Sequence, residues 1–264
     1  MKTKLNRIHA GSLALVTLLG TSAFAHAQTA APNILSDAEK AAGWSLLWDG
    51  KTNEGWRSPK SENFPAKGWT MGDGVLSTLE NGGEEAADGG DIITRKRYSD
   101  FELTVDFKIT TGANSGIKIF VQPDLSPIDK KTGKPAFVGS AIGLEFQILD
   151  DNVHPDAKLG LNGDRTIGSL YDLTPAPADK KVLPVGEWNK ARILSEGKHV
   201  TFWLNGEKTV DFERGSEDFR ARVAASKYKD ITSFGEWADG HILLQEHGNQ
   251  VLYQNVKIRV LDKK

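Results

Sequence analysis

The chain contains no cysteine among its 264 residues. That excludes a thiol nucleophile, a disulfide framework and a lipoprotein-type anchor on cysteine. No G-x-S-x-G elbow, no H-E-x-x-H helix and no phosphate-cradling glycine loop occurs either, so a nucleotide cofactor is not expected. A formal net charge of −2 gives no electrostatic reason to bind nucleic acid or anionic lipid. Long apolar runs are missing beyond the first two dozen residues, so no membrane insertion is expected.

What is there begins with a basic start, Lys2, Lys4 and Arg7, ahead of an apolar stretch from Ala10 to Leu19. Ala23-Phe24-Ala25 and Ala25-His26-Ala27 then offer small-residue cleavage patterns, so residues 1–27 read as a signal peptide. Their removal takes three positive charges with it, which moves the net charge from −2 to about −5. A periplasmic or secreted location is the expectation. Residues 28–43 follow as a linker and short helix, with Ser36-Asp37-Ala38-Glu39 as a capping box and Gly43 as the stop.

From residue 44 to 264 a single β domain is expected. In FELTVDFKIT, Phe101, Leu103, Val105, Phe107 and Ile109 alternate with Glu102, Thr104, Asp106 and Lys108, a period of two. Similar runs recur, including SGIKIFVQ, GLEFQILD, GSLYDL, HVTFWLNG, KTVDFE and GHILLQEHG. Asn205-Gly206 between two of them is a hairpin signal. Roughly a dozen strands with almost no helical periodicity argue for a two-sheet sandwich or jelly roll. The polar, basic stretch 213–234 is the one place for a helical excursion.

Polar side chains at strand ends are the candidates for chemistry. Glu145 and Gln147 share a face opposite Leu144, Phe146 and Ile148, and Gln245 and His247 share a face opposite Leu244 and Glu246. If the two strands line one concave sheet, the four converge. LEFQILD runs on into DNVHPD, where Asp150 and His154 could hold an oxygen/nitrogen metal site or simply decorate a turn. His199 and His241 begin strands and read as surface residues. Trp48, Trp69 and Trp188 read as core; Trp203 faces away from Phe202 and Leu204, which suits either sugar stacking or cross-strand packing.

Six segments carry a resemblance: AEKAAGWSLLWDGKTNEGW, LEFQILDDNVHPDAK, RTIGSLYDL, GEWNKARIL, VTFWLNGEK and GHILLQEHGNQVLYQNVKIRVL. In this order they resemble the 3-keto-disaccharide hydrolase family, also called 3-keto-glycoside 1,2-lyase/2-hydroxy-glucal hydratase. The resemblance implies a concanavalin A-like jelly-roll sandwich of two antiparallel sheets with the site on the concave sheet. It also implies an oxidised, 3-keto sugar as substrate, cleaved by loss of the C2 proton and elimination of the C1 group. Glu145 or His247 would be the base and the other the acid or a ligand. Gln147, Gln245, Arg165 and Tyr171 would hold hydroxyls, with Trp203 as a stacking platform. A divalent ion on His154 and Asp150 would suit the enolate oxygens.

Two other readings compete. A retaining glycosidase needs a second carboxylate about 5–5.5 Å from the first, and the residue at that place is Gln147. A carbohydrate-binding module would keep Trp203 and the amides without needing His247 beside Gln245.

Overall fold

The computed structural model describes residues 31–85, 89–125 and 140–262. The expected signal peptide lies outside the described residues. The chain enters through helix α1 (Asp37–Ala41), whose Ser36 cap and Glu39 form the reciprocal capping box. The strands that follow are β1 (Trp44–Leu46), β2 (Trp56–Arg57), β3 (Trp69–Gly72), β4 (Val75–Thr78), β5 (Ile92–Thr94), β6 (Phe101–Ile109) and β7 (Asn114–Gln122). After them come β8 (Ile142–Leu149), β9 (Asn189–Glu196), β10 (His199–Leu204), β11 (Glu207–Glu213), helix α2 (Glu217–Ala225), β12 (His241–Leu244) and β13 (Val251–Val260).

The strands form two antiparallel sheets. The larger runs β11-β10-β9-β6-β13-β4-β3, with β1 also on β13; the smaller runs β2-β5-β12-β7-β8. This is the expected all-β sandwich. Phe101, Leu103, Val105, Phe107 and Ile109 of β6 are all buried, each at most 2% exposed. Opposite them, Leu144, Phe146 and Ile148 of β8 are fully buried. Phe107 meets Phe146 edge-on across the sandwich at 6.4 Å, and each such ring removed from water contributes about 1.5–3 kcal/mol. Ser115 on β7 and Tyr253 on β13 also join hydroxyls between the sheets.

The Asn205-Gly206 turn is as the sequence indicates, both residues having positive φ (51° and 87°) as this tight turn demands. GSLYDL departs from expectation. It forms no strand, because Gly168 and Asp172 turn the chain at positive φ (78° and 59°). Instead this loop runs along the outer edge of β8. Gln147 N–H donates to Ser169 O, Gly168 N–H to Gln147 O and Tyr171 N–H to Glu145 O.

Candidate functional site

The outer face of the smaller sheet carries the site. Because side chains alternate along β8, burying Leu144, Phe146 and Ile148 in the core turns Glu145 and Gln147 outward. On neighbouring β7, Lys118 lies opposite Glu145 and Gly116 opposite Gln147. Beyond β12, Gln245 N–H donates to Gly116 O at 3.0 Å, which carries the pairing on and brings Gln245 and His247 alongside. The loop residue Tyr171 and the segment after α2 (Lys227, Tyr228, Ile231) complete a cavity of about 230 Å³, also lined by Glu145, Gln147, Gln245 and His247.

Gly116 makes room for the carboxylate. A Cβ there would lie 2.0 Å from Glu145 Oε1, inside any permitted contact. Lys118 Nζ stands 3.5 Å from Glu145 Oε2 and donates to Ser140 Oγ. Ser140 donates in turn to Asp91 Oδ2, and Asp91 also accepts the backbone N–H groups of Ala141 and Glu246. Burial pushes the Asp91 carboxyl above its usual range, opposed by the Lys118 charge and these hydrogen bonds.

Three buried polar atoms of cavity-lining residues lack partners among the described residues: Gln147 Oε1, Gln245 Oε1 and His247 Nδ1. The nitrogens of the two amides are engaged. Gln147 Nε2 donates to Asn114 Oδ1 (3.3 Å) and Gln245 Nε2 to Glu85 Oε1 (3.2 Å). Buried acceptors without donors are costly in a fold, and hydroxyl groups of a bound molecule would satisfy them.

Tyr171 donates its hydroxyl to Asp156 Oδ2 at 2.8 Å; burial first, then this bond, raises its pKa and keeps the proton on. Arg165 stands behind that ring, not in the cavity lining. Its guanidinium bonds Asp156 Oδ1 (2.9 Å) and Asp172 Oδ1 (2.7 Å) and lies 5.3 Å from the Tyr171 ring centre. Arg165 therefore holds the wall rather than reaching a hydroxyl. Lys227 Nζ lies 4.2 Å from the Tyr171 ring centre and 5.2 Å from that of Tyr228.

The sequence profile of the 3-keto-alpha-glucoside-1,2-lyase-like domain matches residues 43–259. This chain belongs to that family. It is 35% identical over 238 residues to a 3-keto-disaccharide hydrolase of Bacteroides thetaiotaomicron, an alignment covering 84% of this chain and 80% of that one. A crystal structure from Parabacteroides distasonis, provisionally assigned as a glycosyl hydrolase, superposes with a TM-score of 0.71 at 34% identity, covering 88% of this chain and all of the other. A second protein of that organism, with the same provisional assignment, gives 0.57 at 29% identity, with 83% and 99% covered.

In this family member the four strand-end residues do converge, while other expected site residues lie elsewhere. Trp203 sits on β10 of the opposite sheet, with the Arg192 guanidinium stacked 3.9 Å from its ring centre. His154 flanks the cavity without lining it: its ring is 6.2 Å from that of His247, edge to face, and its Nδ1 accepts the Asp156 N–H. Burial, helped by His247, holds His154 below the usual histidine range. Asp150 uses Oδ2 on Gly112 N–H and Oδ1 on Asn152 N–H. No group of three or more His, Asp or Glu suited to a metal occurs among the described residues. His154 and Asp150 each anchor a turn through these hydrogen bonds. His241 is buried, its Nδ1 2.6 Å from Thr94 O, because β12 is central in its sheet.

Sequence reasoning passed over Lys118, Asn114, Asp91, Ser140 and Tyr228. Lys118 had a signal: a lysine between Ile117 and Ile119 in a run otherwise apolar on both faces. Asp91 and Ser140 gave none, since only the fold brings them to Lys118.

Proposed function

We propose that this family member cleaves 3-keto-glycosides by elimination and that His247 is the base. The family is one of carbohydrate-active, glycoside-cleaving proteins, and the curated relative is named for 3-keto-disaccharides. The observation that carries the reading is the cavity itself, which gathers an imidazole with an unpartnered Nδ1 and a carboxylate paired to an ammonium.

A ketone at C3 makes the C2–H acidic. His247 takes that proton, and the electron pair moves onto C3–O as an enediolate. The ammonium group of Lys118 supplies positive charge for that oxygen. Collapse restores C3=O, forms C1=C2 and expels the C1 oxygen, which leaves with the proton that His247 carried. Glu145 accepts the 2-hydroxyl, and the carbonyl oxygens of Gln147 and Gln245 accept others. Water then adds at C1 and a proton at C2, giving the free 3-keto sugar. A retaining mechanism finds less support: among the described residues the cavity carboxylates are Glu145, beside an ammonium, and Glu85, which accepts from Gln245.

The test pairs a 3-keto-glucoside with its unoxidised parent and follows enone absorbance together with released aglycone. Cleavage of the keto compound alone is expected, and loss of at least about 100-fold in His247→Ala. Cleavage of the parent alone overturns the reading; sugar binding without turnover of either makes the protein a binding module. We also propose export by residues 1–27, which a mature N-terminus near residue 28 would support and an intact Met1 in the secreted fraction would overturn.

A further inference from the structure

Lys227 differs from its neighbour Lys118. Lys118 is tied to Ser140 Oγ, Ala141 O and Glu145. Lys227 lines the same cavity, remains exposed to it, and makes no side-chain hydrogen bond or ion pair among the described residues. Two aromatic rings flank its ammonium. Desolvation by this surround, with the Lys118 charge nearby, holds it below the ordinary lysine value against the pull of Glu145, Asp172 and Glu85. Its backbone is fixed, because Asp172 Oδ2 accepts the Lys227 N–H at 2.8 Å. An amine with no hydrogen-bonded counter-ion, flanked by two aromatic rings and beside a second cation, is how nucleophilic lysines are made.

We infer that Lys227 is a covalent catalyst which forms an imine with the substrate's 3-keto carbon. This rests on the 3-keto reading above. The neutral amine adds to C3, and the carbinolamine loses water to leave a protonated imine. His247 removes the C2 proton, and the C2–H pair flows to nitrogen as an enamine. The enamine expels the C1 oxygen, which takes up one proton, while C1=C2 forms and the iminium returns. Water hydrolyses that iminium to C3=O and frees the amine, so one water leaves and one enters. The positively charged nitrogen then replaces the enediolate oxygen as the electron sink, and no separate stabiliser of that oxygen is required.

The experiment uses the full protein, cyanoborohydride, and 1,5-anhydro-3-keto-glucitol, a keto sugar with no glycosidic oxygen at C1. Peptide mapping by mass spectrometry should find the reduced adduct on Lys227, at least tenfold above any other lysine. His247→Ala should accumulate the same adduct from an intact 3-keto-glucoside, since the imine forms but the proton stays on C2. Lys227→Arg keeps the charge and removes the nucleophile, and its turnover should fall at least about 100-fold. A preparation that turns over the 3-keto-glucoside yet carries no label on Lys227 overturns the imine and leaves the elimination standing. So does Lys227→Arg retaining turnover within tenfold. A preparation that leaves the 3-keto-glucoside uncleaved overturns the parent reading, and the imine with it.

Discussion

Asp172 holds Lys227 by its backbone. One carboxylate oxygen accepts the Lys227 N–H at 2.8 Å, while the other takes Arg165 Nε at 2.7 Å. A loop residue at positive φ (59°) thus sets where the segment after α2 crosses the cavity. Asp172→Asn keeps an acceptor for the Lys227 N–H in a residue type that tolerates this backbone, and gives up only the ion pair with Arg165, which Asp172→Ala loses as well. Asp172→Ala leaves a backbone donor unmatched at a strained position and should cost about 1–3 kcal/mol in urea unfolding. Equal stability of the two variants would remove Asp172 as the anchor.

Gly116 is the tightest point of the site. Its substitution by Ala brings a methyl to 2.0 Å from Glu145 Oε1, so the carboxylate must swing away from Lys118. With the strand's backbone pairing intact, circular dichroism should be unchanged while kcat/KM on a 3-keto-glucoside falls by about 100-fold. Retained activity in a folded Gly116→Ala protein would take Glu145 out of the reaction.

Trp203 provides the opposite expectation. It lies on the far sheet under Arg192, so Trp203→Ala should leave KM within about twofold, because only packing and a cation–π contact are lost. The stability cost should be about 1–2 kcal/mol, from partial burial plus that contact. A large rise in KM would restore the stacking role.

His154 and His241 are both held below their ordinary 6.5, each chiefly by burial. Between the depressed and ordinary values the unfolded chain binds more protons than the folded one. Stability from these groups is therefore fully present above pH 6.5 and is lost as pH falls through the depressed values. Denaturant midpoints should rise from about pH 5 to about pH 8, and His154→Gln should flatten part of that rise, leaving the share of His241. An unchanged slope in His154→Gln would refute the assignment.

The β6 ladder and the Glu145/Gln147 alternation were legible because a period of two says which side chains meet water and which meet the core. Convergence of Gln245 and His247 with them was legible only as a conditional, since periodicity does not say which strands are neighbours. Arg165 misled because a basic residue in a loop looks available until two carboxylates, Asp156 and Asp172, close on it. Lys227 lay in a stretch noted only for its charge. Its surroundings come from Tyr171, 56 residues earlier in the chain, and from Tyr228.

The loop from Gly168 to Tyr171 matters to solubility as well as to chemistry. β8 is the last strand of its sheet, and this loop occupies the backbone groups that a foreign strand would otherwise engage. Tyr171, at its tip, is also part of the cavity wall. Lengthening or swapping the loop to admit a bulkier sugar would therefore uncover an aggregation-prone margin in the same stroke. Variation in substrate size is tolerated more safely at Ile231, which bounds the same cavity from a segment with no part in guarding that margin.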